Sequence, residues 1–582
     1  MAYNHPEKRW ILPRPVPELI DQKLNRYPKP IRQLLFNRGY EDTLTSQKFL
    51  NADYPFEDPN HLMGMDKTVD RIAHAIHFKN PIAVYGDYDA DGVTATALLV
   101  QVINQLGGLV IPYIPNRFDE GYGINIDALD RLKEVGIDLV ISVDCGIRSV
   151  IETVHANEIG LTLIISDHHY PKGNLPPAYA VICPKQADDP YLFKELAGVG
   201  LAYKIAQALI EKFHDSGLEI ENWLDLVALG SVADMVPLIE ENRTMVRAGL
   251  DYLQKSQRVG IKALAEVSQL NLETLTSSNI GFILGPRLNA AGRVESARTA
   301  LQLMMVQDSS AAKLLAEDLD RQNRERQQLT QKVQEQAREI VIQSENEILL
   351  FAVQEEFNEG IVGLAASKLT EEFYRPAIVG TVRKDGTVHA SCRSIKEFHI
   401  THALDECADL LINHGGHALA AGFTVSEDHL DELRDRMEKI AIRELREMEL
   451  IPTLSADTEV TLTELKPLLI PYLNQFEPSG IENPSPSFYS RNVRVSHAKS
   501  IGKENVHLKM TLNDGLFSFD AIAFRFGDLA DKLQDATIDI LFAFEMNHFR
   551  DEDRLQLRIV DLKPSKGKSV DESHRSNNHR IS

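Results

Sequence analysis

Cysteine is scarce and nowhere paired. Cys145, Cys183, Cys392 and Cys407 are scattered along 582 residues with no CxxC spacing, which excludes a zinc knuckle and a disulfide framework and points to a reducing compartment. Long apolar runs are also missing. No stretch approaches the roughly 18 apolar residues of a membrane-spanning helix, and residues 1–10 lack the apolar core of a signal peptide. The expectation is a soluble, cytoplasmic protein with no membrane partner. Positive charge is in short supply too. A net charge of −23 is awkward for a nucleic-acid binder, because general phosphate affinity comes from Lys and Arg. Two islands reverse the balance locally: residues 375–402 carry five Lys/Arg against two acids, and residues 491–509 five against one. An acidic chain with two basic islands can hold a strand along one defined track.

Hydrophobic content of 43% and charged content of 25% are ordinary globular values, and the length calls for three or four domains. The rest of the reading is organised around Tyr85-Gly86-Asp87-Tyr88-Asp89-Ala90-Asp91-Gly92. An apolar entry over 81–85 reads as a buried strand and the apolar run over 93–102 as a helix, so the three aspartates occupy the turn between them. Ligands in open α/β sheets sit at such strand ends. Carboxylates at every second position repel one another unless cations sit among them, and oxygen-rich sets suit Mg²⁺ or Mn²⁺. An acidic surface turn is the plain alternative for the motif taken alone.

Three further apolar runs lead to polar residues in the same way. Residues 139–143 lead to Asp144-Cys145-Gly146, 161–165 to Ser166-Asp167-His168-His169, and 226–232 to Asp234. Read as parallel strands, they would bring their C-terminal ends to one sheet edge, where four distant segments meet around one pocket. Alternating strand-like and helical runs over 66–300 fit a doubly wound sheet.

Arg117, in the loop after a strand over 109–114, can offer a bidentate fork to phosphate; a solvated loop arginine is the alternative. Gly198-Val199-Gly200 lacks the third glycine of a nucleotide loop and reads as a helix start without a cofactor. The run Gly285-Pro286-Arg287-Leu288-Asn289-Ala290-Ala291-Gly292-Arg293 reads as a loop approaching an anion, or as a structural loop whose arginines pair with the acidic body. Residues 308–345 read as one polar helix of about 50 Å, long enough to bridge two domains. A second α/β unit follows, with Gly360-Ile361-Val362-Gly363 opening a helix, and Ser391, Arg393 and Gly415-Gly416-His417 as candidate anion contacts. Short alternating runs from 506 to 560 carry an all-β barrel signature of the OB size class. Lys499, Lys503, Lys509 and Arg525, with Phe488, Tyr489, Phe517 and Phe519, offer a basic and aromatic surface, part of it core.

The Asp-rich turn, Asp144-Cys145-Gly146, Ser166-Asp167-His168-His169 and Ser231-Val232-Ala233-Asp234-Met235-Val236-Pro237-Leu238, in this order, resemble the DHH phosphoesterases. The continuation through the Gly285–Arg293 run and Gly415-Gly416-His417 resembles their RecJ-type branch. The resemblance spans about residues 70–560. It implies a doubly wound DHH domain (66–305), a connecting helix (306–345), a DHHA1 substrate-binding domain (346–448) and an OB-fold barrel (449–564); residues 1–65, mixing Pro, Arg and aromatics with short helical patterns, read as an accessory segment packed on the first domain, and the Ser/Asn/His/Lys-rich residues 565–582 as a disordered tail. The resemblance further implies Asp87, Asp89, Asp91, Asp144, His168 and Asp234 as ligands of two divalent cations, Mn²⁺ or Mg²⁺, with Asp144 bridging and taking part in catalysis. His169 would orient phosphate or protonate the leaving oxygen, supported by Asp167. Arg117, Arg287, Asn289, Arg293, Ser391, Arg393, Gly415, Gly416 and His417 would contact phosphate and DNA. Ala390 and Cys392 stand where the family commonly has glycine.

The implied activity is a 5′→3′ exonuclease that acts as a monomer on single-stranded DNA and releases 5′-mononucleotides in repair and recombination. A single-strand-binding protein and a helicase are the implied further partners. Polarity comes from the resemblance alone. A DHH phosphodiesterase of short oligonucleotides or cyclic dinucleotides would share the metal site without needing the long helix and barrel. A non-catalytic scaffold should have lost acidic ligands, and none is missing here.

Overall fold

A computed structural model describes residues 7–116, 120–121, 123–344, 348–549 and 552–565. Arg117 and the tail 566–582 lie outside the described residues. The chain divides into two compact units. The first comprises residues 1–51, 452–477 and 484–582; the second comprises 52–451 and 478–483.

The second unit opens with a five-stranded, all-parallel sheet. From one edge to the other the strands are Val110–Tyr113, Ile82–Gly86, Leu139–Val143, Thr162–Ser166 and Ala180–Ile182. Successive residues serve opposite cores. Ile82, Val84, Leu139 and Ile141 join one apolar cluster, while Ala83, Tyr85 and Val140 join another. Burial on both faces is why these strands read as continuous apolar runs rather than alternating ones. The chain order across the sheet is 2-1-3-4-5, so connections leave in opposite directions from Ile82–Gly86 and Leu139–Val143. That switch point opens the crevice in which doubly wound sheets place their ligands. The Asp-rich turn and Asp144 follow these two strands.

Two expectations are corrected here. The run 226–232 lies in a helix, Leu224–Ala233, whose residues 224–231 are all buried. A helix that is apolar all round has no 3.6-residue period to distinguish it from a buried strand. The Gly285–Arg293 run is also helical, as Gly285–Val294, entered through a π-helical turn at Ile280–Leu284. Pro286 sits in its first turn, where its missing N–H costs nothing.

The helix Ser309–Gln343 runs 35 residues, capped by Asp308, whose side chain accepts the Ala311 N–H at 2.7 Å. It leads into a mixed sheet ordered Leu411–His417, Ala420–Ser426, Thr387–Arg393, Ala377–Val382, Leu350–Val353. Only the last two strands pair in parallel.

In the first unit, five strands close into a barrel: Phe488–Ile501, His507–Asn513, Ser518–Ala523, Glu552–Pro564 and Thr537–Phe549, the last pairing back onto the first. Closure removes the exposed edges an open sheet would carry. Phe488, Tyr489 and Phe519 are buried, so of the four aromatics singled out only Phe517, 52% exposed, can meet a base. The expectation that residues 1–65 pack on the first domain is corrected for residues 1–51 only; Leu62 and Met65 join the apolar cluster of the parallel sheet. Leu24, Ile31, Leu34, Leu35, Phe49 and Leu50 share the barrel's apolar cluster, and Arg9–Ile11 pairs in parallel with Thr453–Ser455. Conversely, residues 478–483 leave the barrel sequence for the second unit. There Ile481 O accepts the Leu238 N–H at 3.0 Å and Ser479 O accepts the Ser277 hydroxyl at 2.7 Å.

Candidate metal centre and anion pocket

Strand ends and one helix end bring the carboxylates together. Asp87 and Asp89 follow Ile82–Gly86; Asp89 caps the helix Ala90–Gln105, accepting the Asp91 and Gly92 N–H groups at 2.9 and 3.1 Å. Asp144 follows Leu139–Val143 in the left-handed region, with φ +62°, a conformation that Asp tolerates better than most residues. His168 follows Thr162–Ser166, and Asp234 caps the C-terminus of Leu224–Ala233. His168 Nε2 lies 3.1 Å from Asp144 Oδ1, 3.5 Å from Asp234 Oδ2 and 3.9 Å from Asp91 Oδ2.

These groups form overlapping triads whose ligand atoms lie within 4.8 Å of one another: Asp87/Asp89/Asp144, Asp91/His168/Asp234 and Asp144/His168/His169. Asp144 and His168 each belong to two of them. Asp144 Oδ1 and His168 Nε2 are buried without a hydrogen-bond partner. Orphaned buried polar atoms are rare and call for an explanation.

The electrostatics supply one. Burial, then Asp89, pushes Asp91 up to about 7. Burial, then Asp91, pushes Asp234 up to about 9. Burial together with Asp91, Asp89, Asp234 and Asp87 raises Asp144 well above the carboxylate range. Burial, then His169, drops His168 to about 3, which leaves a neutral imidazole. Three buried carboxyls and a neutral imidazole that resist carrying their charges together fit a pair of hard divalent cations, whose charge reverses that logic.

Asp167 and His169 behave differently. Burial alone would raise Asp167, but the hydrogen bond from His169 Nδ1 at 2.8 Å and the N–H groups of Ile147 and His169 at 2.9 and 3.0 Å leave it lowered. Burial alone would lower His169; the bond to Asp167 raises it instead.

A second constellation lies in the mixed sheet. Register aligns Ser391 with Gly422 and, on the next strand, Gly422 with Gly415; likewise Arg393 with Ala420, and Ala420 with His417. Alternation puts Ser391, Arg393, Gly415 and His417 on one face, while Cys392 and Ala421 point into the core. A Cβ on Gly363, near the start of the helix Val362–Phe373, would lie 3.2 Å from an Arg393 terminal nitrogen and 3.3 Å from Ser391 Oγ. Among the described residues no carboxylate pairs with Arg393. Burial lowers it, and its recorded donation goes to Cys392 O at 2.8 Å. A half-buried guanidinium beside a hydroxyl and a helix N-terminus is an arrangement that can hold an anion. Arg293 joins it, its Nη1 lying 3.4 Å from Gly360 O. Gly416 sits outside this row, at φ +145° against Ala420 and Ala421.

Two of the proposed substrate contacts are engaged within the fold. Arg287 is clasped by Asp320 of the long helix at 2.9–3.0 Å and donates to Ile283 O at 2.8 Å. Asn289 Oδ1 accepts the Ala90 N–H at 2.7 Å, tying down the first turn of the helix that carries Asp91.

Family models match three stretches of the chain: the DHH family N-terminal domain over 81–231, the DHHA1 domain over 345–442 and the RecJ OB domain over 456–561. The single-stranded-DNA-specific exonuclease RecJ of Bacillus subtilis is 37% identical over 570 residues, covering 97% of this chain and 72% of the relative. That of Escherichia coli is 32% identical over 559 residues, covering 92% and 96%. The chain belongs to the RecJ family. The crystal structure of RecJ from Thermus thermophilus with Mn²⁺ superposes with a TM-score of 0.79 at 27% identity, covering 96% of this chain and 80% of that one.

One supporting feature of this RecJ-family centre escaped the sequence reading. The N–H groups of Gly198 and Val199 donate to Asp91 Oδ2 and Oδ1 at 2.6 and 2.8 Å, and a Cβ on Gly198 would lie 2.6 Å from Asp144 Cβ. The glycine dismissed as a nucleotide loop is the one residue that lets a helix N-terminus approach two ligands. Gly198→Ala is therefore expected to displace Asp144. A ligand shift of about 1 Å typically costs on the order of 10²-fold in rate, with a stability loss of about 1–3 kcal/mol from overpacking. Steady-state digestion and thermal melting check both.

Proposed function

We propose that the chain is a metal-dependent, single-stranded-DNA-specific exonuclease that degrades 5′→3′ and releases 5′-mononucleotides. The observation that carries the reading is the cluster of Asp87, Asp89, Asp91, Asp144, His168 and Asp234, in which burial and mutual repulsion raise Asp91, Asp144 and Asp234. Relatives of this chain are named single-stranded-DNA-specific exonucleases, and structures of Thermus thermophilus RecJ are complexes with Mn²⁺ or Mg²⁺.

Asp87, Asp89 and Asp144 would hold one cation, and Asp91, His168, Asp234 and Asp144 the other. Together the two ions would supply the Lewis acidity for phosphodiester hydrolysis. The rest is the work of the chain's own side chains. Asp167 fixes the His169 ring through Nδ1 and raises its affinity for a proton, leaving Nε2 to give that proton to the departing oxygen. Ser391, Arg393 and the Gly360–Gly363 turn take the terminal phosphate, with Arg293 beside them. His417 and Gly415 continue the same face.

The deciding experiment digests a single strand labelled at either end, with a 5′-phosphate or a 5′-hydroxyl, in Mn²⁺. Mononucleotide release from the 5′ end is expected, faster from the phosphorylated strand. Release from the 3′ end would overturn the polarity, and preference for a dinucleotide over a 30-mer would favour a short-oligonucleotide phosphodiesterase. Arg393→Gln should lose the advantage of the phosphorylated end by roughly 10–100-fold, the scale of one desolvated charge-assisted hydrogen bond, with digestion of the hydroxyl-ended strand little changed.

A further inference from the structure

Two of the sheet's strands carry residues at their C-terminal ends that the metal centre does not use. Tyr170 directly follows His169 and is 56% exposed. The Lys185 ammonium sits 4.8 Å from the centre of the Tyr170 ring. Lys185 occupies the turn after Ala180–Ile182, closed by the Gln186 N–H donating to Cys183 O at 3.2 Å, and its side chain is largely buried and paired with Glu195 at 3.3 Å. Arg148, in the turn after Asp144, donates its Nε–H to Tyr170 O at 3.1 Å. Among the described residues no carboxylate pairs with Arg148. The group is anchored to the metal centre: Asp167 N–H donates to Ile182 O at 3.0 Å, and Cys183 Sγ donates to His169 O at 3.5 Å. Lys185 also acts electrostatically on both His168 and Asp234, and Arg148 on His169.

We propose that Arg148, Tyr170 and Lys185 form a nucleotide subsite at the lip of the metal centre, in which the open face of Tyr170 stacks on one base and Arg148 takes the adjoining phosphate. Lys185, held by Glu195, covers the other face of the ring and keeps it oriented. An aromatic ring beside an uncompensated guanidinium is the combination by which single strands are held without regard to sequence. The sheet order says which nucleotide. Gly292, next to the anion-pocket Arg293, packs against Tyr88 after the strand Ile82–Gly86, whereas Tyr170 and Lys185 follow the two strands on the other side of Asp144. Strands lie about 4.8 Å apart, so the ring's strand is roughly 10 Å from the Asp-rich one, with Asp144 between. The subsite therefore takes the nucleotide across the scissile phosphate from the anion pocket. This rests on the exonuclease reading above.

The test uses the full chain and a set of single strands, each with one abasic residue at a different position near the 5′ end. Tyr170→Ala should raise KM about tenfold on the unmodified strand with little change in kcat, the loss expected for one base–aromatic stack. It should match the parent on the strand whose abasic residue falls in the subsite, and Tyr170→Phe should behave as the parent throughout. Arg148→Gln should weaken both strands equally, because it reads phosphate. Binding of the trinucleotide pTpTpT to the protein in EDTA, measured by calorimetry, needs no cutting: weaker binding by Tyr170→Ala supports the subsite even if the parent proved not to be a nuclease. Equal KM on every strand and equal trinucleotide binding by parent and Tyr170→Ala would overturn it.

Discussion

Asp144→Asn is expected to abolish strand degradation, by about 10³-fold or more, while leaving the metal-free protein at least as stable as the parent. The loss follows from its position in two of the three ligand triads: a ligand shared between two cations cannot be replaced by a neutral amide without weakening both. The retained stability follows from its surroundings. Burial and four neighbouring aspartates raise this carboxyl well above the carboxylate range without metal, so a neutral side chain is what these surroundings favour. Asn matches its volume, and the left-handed backbone at φ +62° suits Asn as well as Asp. Asp167→Asn is the contrast. That carboxylate is ionised and accepts three N–H donors, so its loss should cost roughly 2–4 kcal/mol of stability whether or not metal is present. Melting in EDTA, Mn²⁺ titration and digestion separate the two. Full activity in Asp144→Asn would remove it from the ligand set, and a large fall in its melting temperature would mean that the carboxylate is ionised and paired without metal.

What could be read in advance divides along physical lines. The parallel strands were legible because burial on both faces leaves an uninterrupted apolar run, and the convergence of Asp and His at their ends because a polar residue ending such a run has few other reasons to be there. Asp234 was placed at the right centre through the wrong element, since Leu224–Ala233 is buried all round and its composition matches a strand. Arg287 was assigned to phosphate because its partner Asp320 lies 33 residues away on another helix, a pairing no local pattern encodes. The N-terminal segment was misplaced for the same reason: its amphipathic helices announce that they pack, and only the tertiary structure shows that Leu34 and Phe49 meet the barrel's cluster. The Tyr170 group was invisible because its three side chains come from three separate turns.

Mn²⁺ binding is expected to weaken by at least about 10³-fold when the pH falls from 8 to 6. A cation must displace the protons its ligands hold. Between pH 8 and 7 the proton on Asp234, held up to about 9, alone gives about tenfold per pH unit, and Asp144, also raised, adds to it. Below pH 7 Asp91, held near 7, adds a further proton, which gives at least about a hundredfold per unit. The same shifts set the stability of the metal-free protein with the opposite slope. These carboxyls bind protons more tightly folded than unfolded, so their contribution is fully present below the ordinary carboxylate range near pH 4 and is lost as the pH rises toward 9. In EDTA the melting temperature should accordingly decline across that window, and Mn²⁺ at about 100 times its dissociation constant should restore roughly 2.7 kcal/mol at pH 8. Calorimetric Mn²⁺ titrations in buffers of different ionisation enthalpy count the released protons directly. Release of none at pH 6.5 would mean that the carboxyls are already ionised in the free protein, and would remove the electrostatic argument for cations at this centre.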